Sequence, residues 1–258
     1  MPPTTATAPP TTAPEPPTTA AAAPAPTSAV PPKLKVVFVG DSVAGSLAPG
    51  MTQVLAARGA TFVNAGVTGC PVANGVTVNA DTGVPFPHSE RCAGLVPFYQ
   101  ATVIAAQRPD LVLWLSTWET ADRLVNGRHL RAGTPEHDAD LLRAMEEARV
   151  RLTAHGARLV MLTSVPLADS ELGRAPLPYP DLHLTDLIRR FAAQHTDNVR
   201  VVDLAAIVCP TYPCPTVMDG VLLRPGGGHY TPESSVWVAQ RLVPKVLAAF
   251  PNLRQGAG

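Results

Sequence analysis

Five short apolar runs, each rich in Val, Ile or Leu, recur along the chain, and most are followed by a segment with helical spacing. The first, Leu34 to Val39, is interrupted only by Lys35 near its start, and its run of Val and Phe marks a strand buried on both faces. A helix is predicted over 43–57 and ends at Gly59. Thr61 to Asn64 reads as a second strand. Residues 67–94, rich in Gly, Pro and Asn, read as a long irregular excursion, a kind of loop usually kept for function. A helix over 95–107 leads to a third strand, Leu111 to Leu115. A polar loop with Gly127 and Gly133 follows. The clearest helix spans 136–155, with Leu141, Leu142, Met145, Ala148 and Leu152 as its apolar stripe. Arg158 to Leu162 is the fourth strand, 164–180 a loop, 182–194 a helix and Val199 to Val202 the fifth strand. Thr231, Pro232 and Glu233 are start signals for a last helix that runs to about residue 249. Five buried strands separated by helices predict a three-layer α/β/α sandwich around a five-stranded parallel sheet with right-handed crossovers. In such folds the site lies beyond the carboxyl ends of the strands.

Composition divides the chain. Residues 1–32 are almost entirely Pro, Thr and Ala, with too few large apolar groups to offset the entropy of ordering them. They are expected to form a linker to a single domain over 33–251, with a flexible tail at 252–258. Formal net charge is zero and basic residues are scattered, which argues against a nucleic-acid partner. No apolar run is long enough for a membrane span, and the start lacks the basic and Leu-rich regions of an export signal.

The four cysteines fall into local pairs, Cys70 with Cys92 and Cys209 with Cys214. No ligand spacing suits a metal, which leaves two disulfides or free buried thiols, and the Pro-rich turn inside the second pair favours disulfides. Disulfides require an oxidising compartment. Together with the spacer and the missing export signal, they suggest the extracytoplasmic part of a longer protein whose membrane segment precedes Met1.

The candidate chemistry begins at Gly40-Asp41-Ser42, where the first strand turns into the first helix. A serine at a helix N-terminus sits where N–H groups and the dipole favour negative charge, which suits a nucleophile. The other reading of Ser42 is a plain helix N-cap. A nucleophilic serine needs a base. His229, in Arg-Pro-Gly-Gly-Gly-His-Tyr-Thr just before the last helix, is placed for that role. His88, His129, His137, His155, His183 and His195 lack a comparable setting. Glu119, Asp122 and Arg123 either line the site or form an ion-paired loop, Asp203 reads as structural and Trp114 as core.

A Gly-Asp-Ser block after the first strand, a Gly-rich block after the second and a late His before the last helix resemble the SGNH hydrolase superfamily, over about 33–250. The chain is most similar to the SGNH domain that follows membrane acyltransferase-3 domains in bacterial surface O-acyltransferases. The stretch 115–123, the paired cysteines, 199–205, the Gly-rich His loop and the Pro/Thr leader carry that similarity. The resemblance implies a flavodoxin-like SGNH hydrolase fold. It implies Ser42 as nucleophile and oxyanion donor, Gly69 as second donor with Gly66 as the nearby alternative, and His229 as general base. It further implies a serine-dependent acyltransferase or esterase that works through an acyl-Ser42 intermediate, with acetyl esters of cell-surface glycans as the setting. A membrane acyltransferase domain would be the partner, and no metal or cofactor would be needed.

Two positions depart from the family pattern. Where an oxyanion-binding Asn is usual, the chain reads Ser116-Thr117-Trp118-Glu119, and Trp118 offers only an indole N–H. Where the triad Asp stands, three residues before His229, the chain has Gly226. Three outcomes follow: a Ser-His dyad, substitution by Asp219, or weak activity. Asp41, Trp118, Glu119 and Asp219 are therefore expected to line the site, and a binding or docking module without turnover is the alternative function.

Overall fold

The computed structural model describes residues 33–166 and 179–254. The expected linker 1–32, the middle of the 164–180 loop and the end of the expected tail lie outside the described residues. The elements in order are β1 (Lys35–Gly40), α1 (Ser42–Ala56), β2 (Thr61–Asn64), β3 (Val76–Val78), α2 (Ser89–Gln107), β4 (Leu111–Leu115), β5 (Asp122–Val125), β6 (Arg128–Leu130), α3 (Pro135–Leu152), β7 (Arg158–Leu162), α4 (Tyr179–Gln194), β8 (Val199–Val202), α5 (Ala205–Val208), β9 (Val217–Met218), β10 (Val221–Leu222) and α6 (Pro232–Ala249). A 3₁₀ turn, Pro251–Arg254, follows α6.

The main sheet has the order β2-β1-β4-β7-β8, and every pairing in it is parallel. This is the predicted α/β architecture. Its two apolar layers follow from strand alternation. Phe38, Leu113 and Val160 face α1 and α6, while Val37, Val39, Val112, Trp114 and Met161 face the helices of the other side. Trp114 is core, as expected.

Two departures are informative. The excursion 67–94 and the loop after β4 are not wholly irregular: β3, β5 and β6 join into a small antiparallel sheet. The helix expected from residue 95 begins six residues earlier, at Ser89, and carries Pro97 within it. Strands this short give too few alternating positions to announce themselves by hydrophobic pattern.

Glycines set close approaches at two places. A Cβ at Gly40 would lie 2.0 Å from the Leu115 carbonyl oxygen, so β1 and β4 meet at their carboxyl ends only because residue 40 has no side chain. The constraint there is space rather than a left-handed turn, since Gly40 is not among the positive-φ glycines. In α1, a Cβ at Gly50 would lie 2.0 Å from the Ser235 carbonyl oxygen, and the Gly50 N–H donates to Ser235 Oγ at 3.0 Å. This contact locks α1 to α6, the two helices that carry the ends of the candidate site.

Candidate active site

β1 is flanked by β2 on one side and β4 on the other, so the chain leaves it in opposite directions. The carboxyl edge between β1 and β4 is therefore the topological switch point, where open α/β sheets place their sites. Ser42 is the first residue of α1, directly at that edge. Asp41, not Ser42, is the N-cap: its Oδ1 accepts from the Val43 N–H at 2.8 Å. The Ser42 hydroxyl is thus released from capping.

Asp41 Oδ2 reaches across the switch point. It accepts from the Thr117 N–H at 2.7 Å, the Thr117 hydroxyl at 2.9 Å and the Ser116 hydroxyl at 3.4 Å. Asp41 is only 1% exposed, so these bonds form where solvent does not compete. One carboxylate therefore ties the start of α1 to the segment after β4 that carries Trp118.

His229 arrives from the other end of the chain. Its Nε2 and Ser42 Oγ are 2.8 Å apart. The loop that delivers it is tied at several points. Arg224, buried, donates to the Pro166 carbonyl at 2.9 Å, and the Gly227 N–H closes a turn on the Arg224 carbonyl at 2.9 Å. The Tyr230 N–H donates to Ser46 Oγ on α1 at 3.1 Å, and Thr231 with Ser234 forms a capping box at the start of α6. Ser42 is half-buried and His229 exposed, so the pair opens to solvent.

Gly66 and Gly69 divide clearly. Val67 donates its N–H to the Gly40 carbonyl at 2.8 Å, and the Cys70 N–H turns back on the Val67 carbonyl at 3.1 Å. The Gly66 N–H is already bonded to Asn64 Oδ1 at 3.0 Å. The Gly69 N–H has no acceptor among the described residues, and Gly69 has a φ of +73°. Gly69, rather than Gly66, keeps a donor available.

Asp219 is engaged by α6. Its Oδ2 accepts from Arg241 at 2.6 Å and from the Trp237 indole at 3.2 Å, which fixes it on α6. Of the three outcomes that Gly226 leaves open, this placement lends no support to substitution by Asp219, whose carboxylate is held by the Arg241 guanidinium.

Glu119 is buried and forms no ion pair among the described residues. Its Oε1 accepts from the N–H groups of Val72 and Ala73 at 2.8 and 3.0 Å, while Oε2 has no hydrogen-bond partner. Burial pushes its pKa up, against the backbone hydrogen bond from Ala73, and the charge of Asp41 adds to the rise. It tethers the loop after Cys70. Asp122 bonds His129 Nε2 at 2.6 Å, and Arg123 bonds Asp140 at 2.7 Å, so both belong to an ion-paired scaffold. Asp203 accepts from Thr163 and from the Ala206 N–H, a structural role as expected. Among the other histidines, His137 Nε2 lies 3.1 Å from the Ala121 carbonyl and His183 Nε2 lies 2.7 Å from Asp138.

Both cysteine pairs are disulfides, Cys70–Cys92 and Cys209–Cys214. The first closes 22 residues and the second 5. Loop entropy alone gives them about 3 and about 2 kcal/mol. Only the first flanks Gly69. Replacing Cys70 and Cys92 together by Ala is expected to lower kcat several-fold along with the Tm, whereas replacing Cys209 and Cys214 lowers the Tm with kcat nearly unchanged. Equal effects on kcat would contradict this division.

Beneath the His229 loop, Asp181 accepts from the buried Ser164 hydroxyl. Burial raises its pKa from 3.8 to about 6, although the Ser164 hydrogen bond and nearby Arg224 work the other way. The folded state therefore holds this proton more tightly than the unfolded chain. Its contribution to stability is full below pH 3.8 and is lost as pH rises through 6. The difference is at most about 3 kcal/mol. Asp181→Asn is expected to raise the Tm at pH 8 and leave it unchanged near pH 4. A Tm difference independent of pH would contradict the assignment.

The family model of SGNH domains fused to AT3 domains matches residues 11–244. The chain belongs to that family. No curated protein matches it. Among solved structures, the periplasmic domain of a lipopolysaccharide acetyltransferase from Salmonella ser. Paratyphi A is similar at TM-score 0.55 and 16% identity, covering 84% of this chain and 85% of that one. A carbohydrate esterase family 2 enzyme with a carbohydrate-binding domain, from Corynascus thermopiles (Myceliophthora fergusii), gives 0.54 and 17%, covering 87% and 69%. A GDSL-like lipase from Bacteroides thetaiotaomicron gives 0.52 and 12%, covering 83% and 87%. Likeness at this identity establishes the shared fold.

Proposed function

We propose that this domain is a serine-dependent O-acyltransferase or esterase acting through an acyl-Ser42 intermediate, with acetyl esters of cell-surface glycans as substrates. The observation that carries the reading is the 2.8 Å contact between Ser42 Oγ and His229 Nε2 at the switch point. His229 takes the Ser42 proton as Oγ attacks the ester carbonyl. The resulting oxyanion is held by the N–H groups of Ser42 and Gly69. Collapse expels the donor alcohol, which takes the proton back from His229, and leaves the acyl group on Ser42. An acceptor hydroxyl, deprotonated by His229, then attacks and carries the acyl group away.

Three observations support the substrate and setting. His229 is exposed, which suits access of a bulky acceptor to the reacting pair. The family is fused to AT3 domains, which supports a membrane acyltransferase partner as the source of acyl groups. One similar structure is the periplasmic domain of a lipopolysaccharide acetyltransferase and another is a carbohydrate esterase, and both disulfides suit an extracytoplasmic setting.

A second reading, a glycan-binding or docking module without turnover, draws on the lack of a carboxylate at Gly226. The two separate by product analysis. With p-nitrophenyl acetate and a soluble oligosaccharide, the enzyme reading predicts Ser42-dependent release of nitrophenol and acetylated sugar. Sugar binding with no Ser42-dependent release would favour the module.

A further inference from the structure

His88 shows no special setting in the sequence, yet it stands against the candidate oxyanion donor. A Cβ on Gly69 would lie 2.8 Å from His88 Nε2, 3.2 Å from Cδ2 and 3.4 Å from Cε1. The imidazole thus occupies the space that a side chain at position 69 would take. Its Nε2 is buried and has no hydrogen-bond partner among the described residues. The ring meets Trp118 edge to face, with centroids 5.3 Å apart at 90°, and Trp118 is braced on its own side by Phe86 at 5.1 Å and 80°.

The backbone on both sides of this contact is fixed. Gly69 precedes Cys70, the His88 carbonyl accepts from the Cys92 N–H at 2.9 Å, and Cys70 and Cys92 are bridged. Trp118 follows Thr117, which Asp41 holds. The chain of contacts runs from the Ser42 turn through Asp41, Thr117, Trp118 and His88 to Gly69, and returns to the turn through the Val67–Gly40 hydrogen bond.

We propose that His88 is a positioning residue for the oxyanion hole: its ring, braced by Trp118, holds Gly69 in the conformation that presents a free N–H to the reacting acyl group. The inference rests on the serine reading above. A glycine has no side chain to restrict its φ, so its N–H direction is set by what surrounds it. An oxyanion donor contributes fully only when it is aimed before the charge develops. The imidazole supplies the wall that glycine lacks. What acts is the ring's volume, because Nε2 bonds to none of the described residues; a phenyl ring fills the same space without burying that nitrogen.

The test compares His88→Ala and His88→Phe with wild type and Ser42→Ala in p-nitrophenyl acetate hydrolysis, with Tm measured for each. His88→Ala is expected to lower kcat at least about 10-fold with KM within about 2-fold, a fraction of the loss on deleting a donor outright. His88→Phe is expected to keep kcat within about 3-fold of wild type and to match or exceed its Tm, since the orphan nitrogen is gone. A folded Ala variant with unchanged kcat, or one changed only in KM, would overturn the proposal. So would a folded Phe variant as slow as Ala, which would assign the role to the nitrogen. If wild type and Ser42→Ala hydrolyse equally, the serine reading itself fails and this inference with it. If only Ser42→Ala is slow, the fault lies with His88 alone.

Discussion

Ser42→Ala is expected to reduce hydrolysis of p-nitrophenyl acetate by at least about 10³-fold at unchanged stability, since deleting the nucleophile of a serine enzyme removes covalent catalysis and leaves only binding and oxyanion stabilisation. Stability is spared because Ser42 is not the helix cap. Asp41 performs that role through the Val43 N–H, and the Ser42 hydroxyl contacts His229 at the open edge of the sheet. The loss should appear in kcat, with KM little changed, because the bond that disappears forms only during turnover. Asp41→Ala offers the contrast. It removes the cap and the three bonds to Ser116 and Thr117, so it should lower both Tm and kcat.

Arg123→Met is expected to have the largest effect on stability. The Arg123 side chain is 2% exposed, and its Nε pairs with Asp140 at 2.7 Å. Its other nitrogens donate to the carbonyls of Asn74 and Ala73 at 2.7 and 3.4 Å. Gly75 makes room for it, since a Cβ there would lie 2.2 Å from the guanidinium. Asp140 shows how the balance falls. Burial would raise its pKa, but hydrogen bonds from Arg143 and Arg123 outweigh that and hold it below the ordinary carboxylate value. Removing Arg123 leaves a buried carboxylate with one arginine and two carbonyls without their donor. Breaking such a buried pair costs about 3–5 kcal/mol. For a domain of this size that is a fall in Tm on the order of 10 °C, measured by thermal unfolding. A fall under about 2 °C would show that Arg123 is not the anchor of the 73–75 loop.

The parallel sheet and the positions of Ser42 and His229 could be read along the chain because each depends on local signals. Runs such as Leu111–Leu115 are apolar at every position, as strands covered on both faces must be, and all five residues are buried. Thr231-Pro232 announces α6 by capping chemistry that is local by nature. The small sheet escaped because its strands have three or four residues, too few for alternation to show. One signal was present: Asn126-Gly127, both at positive φ, is the turn that joins β5 to β6, and Asn-Gly between short extended runs favours a hairpin.

The site itself was half visible. Gly40 and Ser42 follow from the strand-to-helix turn, but Asp41 as a clamp on Thr117 depends on β1 lying beside β4, 75 residues away. The surroundings of Asp219 are hidden for the same reason, because nothing local shows that Arg241, one helix later, holds its carboxylate. His88 has no local setting comparable to that of His229. The Cys70–Cys92 pairing held the clue: once bridged, the residue before Cys70 and the turn before Cys92 must come together, and those are Gly69 and His88.

The claim that Ser42 becomes acylated is tested most directly by rapid acid quench of the protein during turnover of p-nitrophenyl acetate, followed by peptide mass spectrometry. The account predicts a single acetyl group on the peptide containing Ser42, absent from Ser42→Ala. Turnover with no acetyl on that peptide, or with the acetyl group at another residue that survives in Ser42→Ala, would contradict it.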